Sequence, residues 1–377
     1  MARILILGGY GLTGRLLARH LLEQSDAEII LAGRHLEKAQ MHAKQLNTEF
    51  TGKRVSALCV DAASRQSLQA ALGAVDLLLV AAPATQHAEK VIHAAMESGV
   101  DYLDIQIDTK KLALLKSLAP DIERSGRCFI TEAGFHPGLP SAMVRYAALQ
   151  LDRLDTAVTA GYLNMGRALP YSEAVDELME VFRNYQGQVF KCGKWTKTGS
   201  YETCKVNFGG GIGVRKCFSM FFEELRALPE IFSTLREVGF FISGTHWFLD
   251  WFITPLVIAG LKLAPSRGIR PLGKLMWWGM QTFARPPFLV LLKVEASGEK
   301  DGKPVKTETS ISHPDGYELT AIPVVACLLQ YLDGSARRPG LWMMGHFFEP
   351  MRLFEDMERM GVHITSVAKA GTNEIGI

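Results

Sequence analysis

Gly8, Gly9, Gly11 and Gly14 lie between the aliphatic run Ile4–Leu7 and a stretch in which Leu16, Leu17, His20 and Leu21 recur at helical spacing. Two registers fit: G-x-G-x-x-G through Gly9, Gly11 and Gly14, and G-x-x-G-x-x-G through Gly8, Gly11 and Gly14. The chemistry this spacing suits is phosphate binding. Glycines let a turn tighten and let backbone approach a diphosphate, while a helix start offers unpaired N–H groups and a positive dipole end. A second strand, "AEIILAGR" at Ala27–Arg34, follows about twenty residues on, as the motif requires. The expected dinucleotide loop is therefore Gly8, Gly9, Tyr10, Gly11, Leu12, Thr13 and Gly14.

The end of the second strand selects the dinucleotide. NAD-binding units usually place a carboxylate there for the ribose 2′-hydroxyl. This chain has Ala32-Gly33-Arg34-His35 and then Lys38, so no acid repels a 2′-phosphate and Arg34 can grip one bidentately. NADP is the expected cofactor. By analogy with the fold, Asp61 is placed beside the adenine, and Ala81, Ala82 and Pro83 along the diphosphate and nicotinamide ribose.

For proton handling, His136 is the first candidate, by position and by an unperturbed pKa near neutrality. Asp104 ends the fifth predicted strand, at the carboxyl edge where such sheets bind ligands; it equally fits a helix cap or a pair with Lys110 or Lys111. Arg215 suits a substrate carboxylate, or a structural role; Tyr317 and Thr320 are weaker candidates. Tyr201 and Lys205 match a Tyr-x-x-x-Lys pair, but "GSYETCKVNFG" alternates as a strand does, which sets the two side chains ~13 Å apart. That match is accidental. No H-E-x-x-H, G-x-S-x-G or paired Cys/His spacing occurs, so no metal site is expected.

These residues need a frame to position them. Strands are predicted at 3–7, 28–32, 54–60, 75–81, 102–105 and 127–131, with helices at 13–24, 36–46, 65–72, 86–98 and 110–125 between them. That alternation predicts an α/β fold: a Rossmann doubly wound parallel sheet over residues 1–139. Beyond Pro140 the rhythm changes. Strands at 154–163 and 201–208, a helix at 171–185, a hairpin at 288–312 turning at Asp301-Gly302, and helices at 317–332 and 350–360 predict a C-terminal α+β substrate and dimerisation domain over 140–335. Residues 336–377 are expected to pack back on the first domain.

The length of 377 residues allows two cored domains. A net charge of +2 and the lack of any basic recognition element argue against nucleic acid as partner. Six scattered cysteines without a C-x-x-C pair fit a reducing, cytoplasmic setting, and residues 1–3 are too few for a signal peptide ahead of the first strand.

The run "VGFFISGTHWFLDWFITPLVIAGLKL", 238–263, stands apart within an apolar helical insert expected at about 229–285. Its length approaches the ~20 residues of a spanning helix, against which stand Asp250 and Pro255. Tryptophans beside Arg267, Arg270 and Lys274 suit a helix lying at a membrane surface, and burial in a core or a homodimer interface suits the run as well. All three placements stay open.

"ITEAGFHPGLPSAM" at 130–143, with the glycine turn, "GVDYLDI" at 99–105, "HPDGYELTA" at 313–321 and "RRPGLWMM" at 337–344, resembles the saccharopine dehydrogenase-like family. The resemblance implies a pyridine-nucleotide oxidoreductase acting on C–N, carbonyl or lipid-like small molecules, and the apolar insert looks like the lipid-associated branch. His136 replaces the acid of a Gly-Phe-Asp pattern, so no acidic role is carried to that position. The thin set of acid–base residues also admits a non-catalytic NADP-binding sensor or membrane-associated scaffold.

Overall fold

A computed structural model describes residues 1–166, 171, 173–183, 187–199, 202–244, 246–265 and 267–370. It divides into two units: Met1–Leu139 with Tyr317–Met360, and Pro140–Gly316 with Gly361–Ile377.

The first unit opens with β1 (Arg3–Leu7), α1 (Leu12–Gln24), β2 (Glu28–Gly33), α2 (Leu36–Glu49), β3 (Val55–Cys59), α3 (Arg65–Leu72), β4 (Leu77–Val80), α4 (Ala88–Glu97), β5 (Asp101–Asp104), α5 (Thr109–Arg124) and β6 (Cys128–Thr131). The central strands are short aliphatic runs because helices cover both faces of a parallel sheet. Ile4, Ile6, Leu77, Leu78, Leu79 and Leu103 are wholly buried.

The second unit contributes α6 (Leu139–Ala148), β7 (Arg153–Asn164), α7 (Glu173–Arg183), β8 (Gln188–Lys191), β9 (Lys194–Lys197), β10 (Thr203–Asn207), β11 (Val214–Met220), the single turn α8 (Leu228–Ile231) and β12 (Glu237–Ser243). After a π-helical turn at Leu249–Ile253 come α9 (Thr254–Leu263), α10 (Ile269–Phe283), β13 (Leu289–Lys300) and β14 (Lys303–His313). The chain then returns to the first unit as α11 (Glu318–Leu332), β15 (Gly340–Met343), α12 (Met344–Phe347) and α13 (Pro350–Arg359), and ends in the second as β16 (His363–Ala370).

The parallel sheet runs β15-β6-β5-β4-β1-β2-β3, so the direction in which strands are added switches between β1 and β4, where such sheets bind ligands. The mixed sheet of the second unit runs β10-β11-β12-β7-β13-β14-β16.

Two expectations are corrected here. The run 238–263 is not one helix. Its first part is β12, paired with β11 on one side and β7 on the other, and a strand buried on both faces has the same unbroken apolar pattern as a buried helix. Among the described residues no helix is long and apolar enough to cross a membrane, so the spanning placement fails.

The return to the first unit also comes at Tyr317, ahead of the expected residue 336. Helix α11 is apolar all round and must be covered on several sides. On one side His20 Nε2 of α1 meets Glu318 at 2.7 Å; on another, Gln330 Nε2 donates to Glu349 O at 3.1 Å and Gln330 Oε1 accepts from Glu349 N at 2.9 Å, next to α13. Burial alone would lower the pKa of His20, but the Glu318 and Glu23 carboxylates hold it above its ordinary value. Asp101, at the start of β5, accepts from Tyr331 Oη at 2.7 Å and Arg337 Nε at 2.9 Å, which ties the segment after α11 to the sheet.

Candidate cofactor site

The loop between β1 and α1 is held by its own backbone. Gly8 N donates to Ala32 O at 2.8 Å, Gly9 N to Ile6 O at 3.0 Å, and Gly11 N to Gly8 O at 2.9 Å. Three glycines cannot be otherwise: Gly8, Gly14 and Gly9, where a Cβ would stand 2.9 Å from Ile6 O. Gly8 has φ +87°, and a Cβ there would stand 2.8 Å from Ala82 N. At Gly14 a Cβ would stand 2.3 Å from Gly8 O and 2.8 Å from Gly9 Cα. The α1 start, with Gly11 as its N-cap, has no side-chain cap. A cradle of this kind fits a diphosphate, which first-turn amides and the dipole would hold.

Around that loop the expected cofactor residues gather at the carboxyl edge of the sheet. Leu12 and Thr13 begin α1, with Leu12 exposed. Tyr10 lies over Gly33: a Cβ on Gly33 would come within 2.5 Å of the Tyr10 ring, and Tyr10 Oη accepts from His35 N at 3.2 Å. That contact pins the first loop to the end of β2, so Tyr10 shapes the site through packing. Arg34 and Lys38 are exposed there, and Glu37 is the acid of the first turn of α2. Asp61 is exposed after β3, where its Oδ1 accepts from Ala63 N at 2.9 Å and fixes the turn into α3. Ala81, Ala82 and Pro83 follow β4, with Ala81 N bonded to Leu7 O at 2.9 Å.

Asp104 sits at the end of β5 with its side chain wholly buried. It pairs with Lys111 Nζ, accepts from Thr131 Oγ1 at 2.8 Å and takes Gln106 N at 3.1 Å. Of the roles open to it in the sequence, this geometry is the ion pair with Lys111. Lys111 also donates to Gln106 O at 2.6 Å, and Gln106 Nε2 to Ala82 O at 2.7 Å. The pair therefore fixes the loop that abuts Gly8. Gln106 went unnoticed in the sequence because a glutamine two residues after a strand has no motif of its own.

His136 is half-buried in the turn after β6, with its Nε2 shielded from solvent and its ring 4.4 Å from that of Phe135. Met344 Sδ receives Gly134 N at 3.2 Å, and the Thr320 methyl group would lie 3.3 Å from a Cβ on Gly134. Three of the separate stretches behind the family resemblance, those holding Gly134, Thr320 and Met344, thus meet in one loop. Just before it, Glu132 is buried with φ +54°, a sparsely populated conformation that concentrates at functional sites. Sequence patterns carry no trace of such a dihedral.

Burial pushes the His136 pKa down to about 4, so its imidazole is neutral near pH 7. The folded pKa then lies below the unfolded value near 6.5, and the unfolded chain takes up more protons between those pH values. Stability should fall as pH drops from about 6.5 to 4, with His136 accounting for about 3 kcal/mol of the fall. Urea unfolding of the wild type and His136→Asn across that range isolates the share; parallel curves would refute it.

Arg215 lies on β11 opposite Val206 of β10. Lys205 is on β10, as the strand reading required, while Tyr201 falls outside the described residues. Among the described residues no group of three metal-ligating side chains occurs.

Residues 4–126, which span the loop and five of the sheet's strands, match the family model of the saccharopine dehydrogenase NADP binding domain. This part of the chain is similar to that domain family. NADP is accordingly its cofactor, in agreement with the missing carboxylate after β2.

The NADP-binding domain is embedded in a fold shared over nearly the whole chain. Apo saccharopine dehydrogenase (L-Glu forming) from Saccharomyces cerevisiae superimposes with a TM-score of 0.69 at 14% identity, covering 98% of this chain and 100% of that one. A myo-inositol dehydrogenase from Corynebacterium glutamicum aligns over 99% of this chain and 100% of its own at 12% identity, with a TM-score of 0.43. No curated protein sequence matches the chain.

Proposed function

We propose that the chain is an NADP-dependent oxidoreductase transferring a hydride to or from a small-molecule substrate of C–N, carbonyl or lipid-like type. The observation that carries this reading is the Gly8–Gly14 cradle, closed against Ala82 and followed at the end of β2 by Arg34 in place of an acid. When bound, the cofactor supplies the hydride at C4 of its nicotinamide.

The chain's own residues bind and orient. Amides at the α1 start receive the diphosphate, Arg34 takes the 2′-phosphate, and Asp61 borders the adenine. Small side chains at Ala81, Ala82 and Pro83 permit close approach. Lys111, Asp104 and Gln106 act as positioning residues beneath that approach. His136 enters as a neutral imidazole that holds a hydrogen bond at the reacting end, since burial keeps it uncharged.

Arg34→Asp tests the assignment. A guanidinium that grips a phosphate bidentately contributes about 3 kcal/mol, so the Kd for NADPH should rise about a hundredfold. The Kd for NADH should change little. Calorimetric titration of both cofactors decides, and equal losses would remove Arg34 from the site.

One observation favours a second reading, a non-catalytic NADP sensor: Asp104 is committed to Lys111, and His136 is held neutral. NADPH oxidation with a panel of imines, ketones and enoyl compounds separates the two, because a sensor turns over none of them.

A further inference from the structure

The stretch from His246 to Leu263 has two opposite faces. Leu249, Ile253, Val257 and Leu261, four residues apart, are buried and share a core with Met179 and Met276. On the other side Trp247, Phe252, Leu256 and Leu263 are between 56% and 87% exposed. Helix α10 continues the surface: Arg270, Lys274 and Trp278, again at steps of four, are all exposed. Ring contacts join the turn before α9 to the end of α10. Trp247 meets Phe252 at 5.9 Å, Phe252 meets Phe248 at 5.3 Å, Phe248 meets Phe283 at 5.6 Å, and Phe283 meets Trp278 at 6.0 Å.

A continuous exposed apolar face of this kind marks an interaction surface. Its charge says of what kind. Between His246 and Arg285 stand four lysines and arginines and one carboxylate, Asp250. The cations share the exposed face of α10 with Trp278, whereas the centre of a subunit interface is depleted in charge. Aromatic and aliphatic side chains bordered by Lys and Arg are the pattern of helices lying in the plane of an anionic bilayer.

We propose that the paired helices α9 and α10, with the turn before them, form a docking surface for an anionic lipid bilayer. Trp247, Phe252, Leu256 and Trp278 enter the headgroup–acyl boundary, and Arg270 and Lys274 meet lipid phosphates. This inference does not depend on the oxidoreductase reading.

The test is flotation of the full chain with phosphatidylcholine vesicles, with and without phosphatidylglycerol. Binding is expected to the anionic vesicles and to weaken with salt. Arg270→Gln/Lys274→Gln should lower the partition coefficient about 30-fold. Trp247→Glu/Phe252→Glu should abolish flotation while leaving NADPH affinity unchanged, which shows that the variant is folded. Three outcomes overturn the proposal: no flotation with either vesicle, flotation that both variants leave intact, or a solution dimer that Trp247→Glu/Phe252→Glu converts to monomer.

Discussion

Lys111→Met should destabilise the NADP-binding domain by about 3–5 kcal/mol, the cost of stripping one partner from a buried ion pair. Neither side chain of the Lys111–Asp104 pair touches solvent. Without the ammonium, Asp104 keeps only neutral donors to a carboxylate sealed from water: the Thr131 hydroxyl, the Gln106 amide and, by a long bond, Glu132 N. The Gln106 carbonyl loses its lysine as well. Asp104→Asn/Lys111→Met should recover most of the loss, because the uncompensated charge is then gone and the methionine fills the lysine's volume. Urea unfolding of the two variants checks both statements. A single substitution costing under about 1 kcal/mol would mean that water reaches the pair. The consequence extends to function: Gln106 Nε2 holds Ala82 O, and Ala82 abuts Gly8, so the single variant should also bind NADPH more weakly.

That pair shows how far the sequence could be read. An acid at the end of a strand and a lysine one turn into the next helix are visible as types, and their pairing was one of the alternatives left open. Choosing among them needs the depth of burial, which residue types and spacing do not carry. The alternating strands and helices of residues 3–131 were legible because each is local and punctuated by its own turn. β12 was not, since the unbroken run Val238–Phe241, buried on both faces, has no period. β15 was hidden for another reason: Gly340–Met343 is four residues long, and its place beside β6 is set by α11 and Arg337. The glycine turn between β1 and α1 was legible because its requirement is steric and written in one residue type. The neutral state of His136 was not, because position suggests a proton carrier while its surroundings remove the charge.

The steric requirement at the loop leads to the second large effect. Gly14→Ala should reduce affinity for NADPH and NADH alike by more than about a hundredfold, since both cofactors share the diphosphate. The added methyl carbon would lie 2.3 Å from Gly8 O and 2.8 Å from Gly9 Cα. Both are backbone atoms, so no side chain can turn aside to make room. The loop must open, which breaks the 2.9 Å bond from Gly11 N to Gly8 O and moves the α1 start away from the cradle. Overpacking of this kind costs about 1–3 kcal/mol of stability, which a domain of this size survives, so the loss of binding can be read in folded protein. Gly11→Ala is the matched control. Its Cβ has one neighbour, Gly8 O at 3.1 Å, and its φ of −71° suits any residue. Gly11→Ala should therefore lose much less stability than Gly14→Ala, and any affinity it loses beyond that reports how closely the diphosphate approaches that backbone. If Gly14→Ala binds NADPH within tenfold of wild type, the loop does not hold the diphosphate, and the cofactor must lie elsewhere on the sheet.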